Sequence, residues 1–135
     1  MTSIKKAGAA LALGAVAALA QTLGFHFYGP VGRFVTPPSG ASTGHPAVFC
    51  FDNPNGSGVS GQIFTLLGRN VATLGSPQPL PASQPACTQT GVLPNSMQFL
   101  LWNGESNGSF VHSGIYLYRI QAEGGNYTGS LVVVR

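Results

Sequence analysis

The stretch whose reading decides the fold is Trp102 to Gln121, "WNGESNGSFVHSGIYLYRIQ". In its second half Ile115, Leu117 and Arg119 alternate with Tyr116, Tyr118 and Ile120, a period of two that belongs to a β-strand and not to a helix. Both sets carry apolar bulk, so this strand has one face on a core and the other partly covered. The first half is polar and rich in Gly and Asn, the residues that let a chain turn. His112-Ser113 invites a nucleophile-and-base reading. Adjacent side chains of an extended chain point to opposite faces, however, and Asp52, the one aspartate, would have to orient the imidazole. Ser113-Gly114 therefore reads as a turn entering a strand.

The same period extends outward on both sides. In "AVFCFDNPNG" Phe49 and Phe51 fall on one face and Val48 and Cys50 on the other, until Asn53 to Gly56 turns the chain. Val59 and Ile63 lie on one face of the next strand, Gly68 breaks it, and Val71 to Leu74 resumes. Met97 to Trp102, Ile115 to Ala122 and Tyr127 to Val134 complete the set. Gly75 to Pro94 is a loop longer than the ~12 to 15 residues usual for a structureless connection. Near the start, Phe25, Phe27 and Tyr28 precede an extended piece containing Val31, Phe34 and Val35, an edge strand or a mobile arm. Together these features predict one all-β sandwich of about seven short strands. The expected boundaries are a leader over 1–20, an arm and linker over 21–45, and the sandwich domain over 46–135.

The leader reads as a secretory signal: Lys5 and Lys6, an apolar run from Ala7 to Ala17, and Ala18-Leu19-Ala20 before Gln21. Its apolar run is shorter than the ~20 residues of a spanning helix, so contact with a membrane is expected only during export. The predicted localisation is secreted, extracellular or at the cell surface. Without the leader, four arginines face three acids, a net charge of +1, and no basic stripe interleaved with aromatics suggests nucleic acid. Charged residues make up only 7% of the chain, against ~25% in an ordinary protein. Repulsion between copies is correspondingly weak. Cys50 and Cys87 are the only cysteines. In an exported chain they are expected to form a disulfide, with two separate buried thiols as the alternative.

On "GQIFTLLGRNVATL" (61–74), "LLWNGESNGSFVHSGIYLYRI" (100–120) and "SLVVVR" (130–135), the chain resembles the immunoglobulin-like domain of the flagellar hook-capping (FlgD-like) family. It is more distantly similar to the C-terminal sorting domains of type IX secretion. The residues that carry the likeness are Gly68 and Arg69, Trp102, Asn103 and Gly104, Ser113 and Gly114, and Tyr116 and Tyr118. Asn103 stands where the family has Asp, Thr65 where Asp is common, and the insertion carrying Cys87 is outside the pattern. The resemblance implies an immunoglobulin-like sandwich over residues 46–135 with these residues as its structural motif.

No residue set predicts catalysis. A G-x-S-x-G elbow is absent from the sequence, and Glu105 and Glu123 lie in Gly-rich turns, the usual place for solvated carboxylates. "DNPNGSG" (52–58) starts like a calcium loop but lacks the later bidentate Glu. His26, His45 and His112 are scattered, so neither a metal nor a cofactor is expected. The sequons at Asn55, Asn107 and Asn126 receive no role. The first expectation is a non-enzymatic structural protein that assembles with copies of itself into an extracellular filament or surface layer. In that reading Phe25, Phe27, Tyr28, Val31, Phe34 and Val35 form an arm that adds a strand to a neighbour. The alternatives are a monomeric adhesion module binding a cell-surface protein or glycan through its loops, and a secretion sorting domain.

Overall fold

A computed structural model of the chain describes residues 24–79, Cys87 and residues 96–135. The leader expected at 1–20 and the loop expected on either side of Cys87 lie outside the described residues. The strands among the described residues are β1 (His26–Val31), β2 (Phe34–Val35), β3 (Ala47–Asp52), β4 (Val59–Thr65), β5 (Asn70–Thr73), β6 (Gln78–Pro79), β7 (Met97–Trp102), β8 (Glu105–Ser106), β9 (Ser109–Phe110), β10 (Gly114–Ala122) and β11 (Gly125–Val133). They form a four-stranded sheet, β1-β3-β7-β6, and a five-stranded sheet, β2-β11-β10-β4-β5, with β8 and β9 as a small hairpin. This is the order of an immunoglobulin-like sandwich, with A, B, E and D in one sheet and A′, G, F, C and C′ in the other. Every pairing is antiparallel except that of β2 with β11.

Alternation along the strands decides what is buried. In β10, Tyr116, Tyr118, Ile120 and Ala122 point inward while Ile115 and Leu117 stay exposed. Phe49, Phe51 and Leu100 from one sheet meet Ile63, Ile120 and Leu131 from the other, all of them shielded from solvent. Each such side chain stabilises the fold by ~1.5 to 3 kcal/mol relative to exposure. Gly129, paired with Tyr118, makes room for that ring: a Cβ there would sit 2.6 Å from Cε2. The β10–β11 hairpin turns on two residues, Glu123 (φ 50°) and Gly124 (φ 78°). Positive φ at both is the type I′ geometry that matches the twist of paired strands.

The boundary expected at residue 46 is not where the sandwich starts. The stretch expected to be an arm supplies β1 to one sheet, against β3, and β2 to the other, against β11. Phe25 stacks 5.2 Å from Phe51, Phe27 lies 5.5 Å from Tyr127, and Val35 is fully buried. The Pro/Gly/Ser segment that resembles a linker is the crossover into β3. It is pinned by paired backbone bonds between Thr36 and His45 and between Ser39 and Ser42. The Cys50–Cys87 disulfide forms, with the two Cα atoms 5.7 Å apart. It lies outside the four-stranded sheet in a second apolar cluster with Met97, Tyr28 and Val48. In an exported protein such a bond fits an oxidising compartment.

Candidate functional site

The quoted stretch builds a corner. Trp102 is buried at the end of β7, its indole N–H donates to the Glu105 carbonyl at 2.9 Å, and its ring meets Tyr116 edge-on at 5.7 Å. The Tyr116 hydroxyl donates back to the His112 carbonyl at 2.8 Å, the tie known in immunoglobulin-like folds as a tyrosine corner. Asn103 Oδ1 accepts from Glu105 N–H at 3.1 Å, which an Asp would do equally. At Gly68 (φ 89°) the β4–β5 turn closes through Gly68 N–H to the Thr65 carbonyl, and the Thr65 hydroxyl accepts from Arg69 N–H at 3.1 Å. Ser113 Oγ accepts from the Arg135 N–H at 2.9 Å, and His112 is exposed. Asp52 ends β3 next to the turn that leads to Val59, which pairs with Ala122 at the far end of β10. It therefore stands at the opposite end of the sandwich from His112, and the two cannot form a relay.

At that end the "DNPNGSG" loop is tied internally. Buried Asn53 donates through Nδ2 to the Ser57 carbonyl and to Gln98 Oε1, both at 2.9 Å, and accepts from Ser57 N–H at 3.0 Å. The Ser57 hydroxyl donates to Glu123 at 2.8 Å and, with smaller contributions from Phe25 N–H and Asn55, holds that carboxyl below the usual carboxylate range against the effect of desolvation. His26 and Tyr28 stack 4.5 Å apart on the outer face of the four-stranded sheet beside Asp52. Burial, and to a lesser extent the Asp52 charge, raises the Tyr28 phenol. Among the described residues no group of three or more His, Cys, Asp or Glu is placed to hold a metal ion.

The most distinctive surface is the outer face of the five-stranded sheet. Strand register places Phe34 beside Val132 and Val132 beside Ile115, while Leu117 lies beside Phe64. Continuing the β4 register past Thr65, which pairs with Tyr116, brings Leu66 alongside Ile115. Val134 follows Val132 on the same side of its strand. Phe34 is 66% exposed, Leu66 61%, Ile115 51%, Val134 46% and Leu117 36%, and Leu67 at the turn tip is 98% exposed. The polar residues lie toward the other end of the face, where Arg119 pairs with Gln62 and with Thr128. The Arg119 guanidinium donates to Gln62 Oε1 and lies over the Phe64 ring, 5.0 Å from its centroid. Between these rows runs a groove of about 600 Å³ lined by Phe64, Leu117, Arg119 and Thr128. Apolar bulk on both faces of 115–120 predicts a partly covered outer face, whereas within the chain Ile115 and Leu117 stand exposed. Phe34, Leu66 and Val132 carry no such signal, since only the register brings them together.

A second concavity, about 550 Å³, opens beside β5 and is walled on the other side by Leu101, Trp102, Asn103 and Glu105. It is lined mainly by polar atoms, although its β5 wall includes Val71, Ala72 and Leu74. Compared with known protein families and with functionally described proteins, the chain matches none.

Proposed function

We propose that this chain is a non-enzymatic structural protein, exported to the cell surface or beyond it. In this reading it assembles with copies of itself through the outer face of the five-stranded sheet, forming a filament or surface layer. The observation that carries the reading is the contiguous apolar patch of Phe34, Leu66, Ile115, Leu117 and Val134, flanked by half-buried Phe64 and Val132. Side chains of this size and exposure present on the order of several hundred Å², comparable to the largest patch on an ordinary monomer, a patch that is often functional. A stable interface buries roughly 800 Å² per partner, a little over half of it apolar, so the patch with its polar rim of Gln62, Thr128 and Ser130 is of the size required. The sole ionic group within it is Arg119, which donates to Gln62 and lies over Phe64 while its buried Nε–H has no partner, so each copy brings a single charge to the contact. Association is assigned to the face and not to the N-terminal strands, because β1 and β2 spend their backbone bonds on β3 and β11 of their own chain.

The resemblance to the hook-capping immunoglobulin-like domains supports the same class, a domain built to be a rigid part. The Cys50–Cys87 bond supports export. The test is the molar mass of the native, cell-released protein by light scattering at low and high salt, beside a Leu117→Asp variant. Wild-type protein is expected as a large species that survives high salt, and Leu117→Asp as a much smaller one with an unchanged melting profile. A wild-type monomer at all concentrations overturns the proposal.

A further inference from the structure

Two copies that meet through the same face close into a two-fold pair and stop there. A filament or layer built on that face therefore needs a second, independent surface, and the edges of the two sheets differ in their fitness to provide one. β1 carries a register shift between Phe27 and Gly29 and then Pro30. β6 is two residues long and contains Pro79, and β2 is also only two residues long. Shortness, bulges and proline are the devices that keep a sheet edge from pairing with another chain. β5, Asn-Val-Ala-Thr, has neither proline nor formal charge. Its irregularity is confined to the end near Asn70, opposite Phe64, while Ala72 and Thr73 pair regularly with Ile63 and Gln62.

The direction of its free backbone groups follows from one bond. Leu74 N–H donates to the Gly61 carbonyl at 2.8 Å, so residue 74 faces β4. Hydrogen-bonding direction alternates along an antiparallel strand, so the N–H and C=O of Thr73 point away from β4, on the edge beside which the cleft of about 550 Å³ opens. We propose that β5 pairs antiparallel with β5 of a second copy, centred on Thr73, fusing two five-stranded sheets into one. Antiparallel pairing about that centre sets Thr73 opposite Thr73, Ala72 opposite Leu74 and Val71 opposite Gly75 of the other copy. Opposed threonines favour pairing, and Ala72 and Gly75 leave space for their larger partners. Arg69 of each copy falls opposite Pro77 of the other, so no like charges meet. The sequence is self-complementary in this register, which favours a second copy over an unrelated peptide as the occupant.

This inference rests on the self-assembly reading, and the test separates the two. Thr73→Pro removes an N–H that faces away from β4, so the strand keeps its own ladder, and Thr73→Lys places a charge on the edge as an independent block. Each is combined with Leu117→Asp, folding is checked by near-UV circular dichroism, and masses are read by light scattering. Wild type is expected to be polymeric, either Thr73 variant to be a discrete two-subunit species joined by the face, and Leu117→Asp a two-subunit species joined by the edge. The double variants are expected to be monomers. Folded Thr73 variants that polymerise like wild type overturn the edge. A wild-type protein that stops at two subunits, halved by Leu117→Asp, also overturns the edge and leaves the face reading standing. A polymer cut to pairs by the Thr73 variants but indifferent to Leu117→Asp removes the face reading and keeps the edge. A monomeric wild type removes both.

Discussion

The hydroxyl of Tyr116 and the absent side chain of Gly129 each hold one part of the second sheet in place. Tyr116→Phe leaves the ring against Trp102 but removes the bond to the His112 carbonyl, which should cost about 1 kcal/mol in a urea titration. Gly129→Ala pushes a methyl group against Tyr118, a ring already confined 5.0 Å from Phe49 and 5.9 Å from Phe27. Overpacking of this kind costs ~1 to 3 kcal/mol, measured as a lower midpoint with an unchanged slope. Glu123 makes a pH prediction. Its carboxyl titrates below the ordinary range because Ser57 and Phe25 donate to its charged form, so its contribution is present above the unfolded value near ~4.3 and fades as pH falls through the lower folded value. Glu123→Gln should therefore lose less melting temperature than wild type as the pH is lowered below the ordinary carboxylate value of ~4.3, where the wild-type contribution disappears. At this scale the sequence shows residue types and spacing, such as a Tyr four residues after a His and a Gly within a strand. It does not show that a phenol reaches a carbonyl or that a ring fills the place of a Cβ, because both depend on the neighbouring strand.

At the scale of elements, the strands over 97–102, 114–122 and 125–133 are legible from alternation alone, and the inward set of β3 can be read from Phe49 and Phe51. β1 and β2 are only half legible: the extended piece reads as an edge strand or a mobile arm, because Gly29, Pro30, Gly32 and the run "TPPSGASTGHP" mimic a hinge. Only the aromatic contacts of Phe25 and Phe27 and the burial of Val35 show that this segment closes one side of the sandwich. Removing residues 21–38 is thus expected to abolish cooperative thermal unfolding, since it strips cover from Phe51, Tyr118 and Tyr127. A free arm could be deleted without that loss. The disulfide ties β3 to a loop 37 residues further on, and replacing both cysteines by alanine should cost about 4 kcal/mol by the chain-entropy estimate. A chemical denaturation series on the double variant, compared with wild type under oxidising and reducing conditions, checks it. β5 illustrates what spacing leaves out: its four residues announce a strand, but whether that strand is central or at an edge is a property of the sheet.

For the whole molecule, the turn residues spaced along the chain and the absence of a helical period already imply two packed sheets. The face that is left apolar is visible only when four strands are aligned. Because that face holds a single guanidinium, the mass of the assembled protein is expected to change little between low and high salt, whereas an interface held by ion pairs would loosen as screening rises. Light scattering across a salt series distinguishes the two. The parallel pairing of Phe34–Val35 with Val132–Val133 bears on how the chain comes into being. A polypeptide that emerges N-terminus first, from a ribosome or through a narrow pore, exposes Val35 long before its partner strand exists. The second sheet can close only after Val132 and Val133 have been released. Chains with such distant pairings fold in milliseconds to seconds, not microseconds. Until then the β11 side of β10 is open to proteases and to wrong partners, so β11 acts as the latch that ends this vulnerable interval.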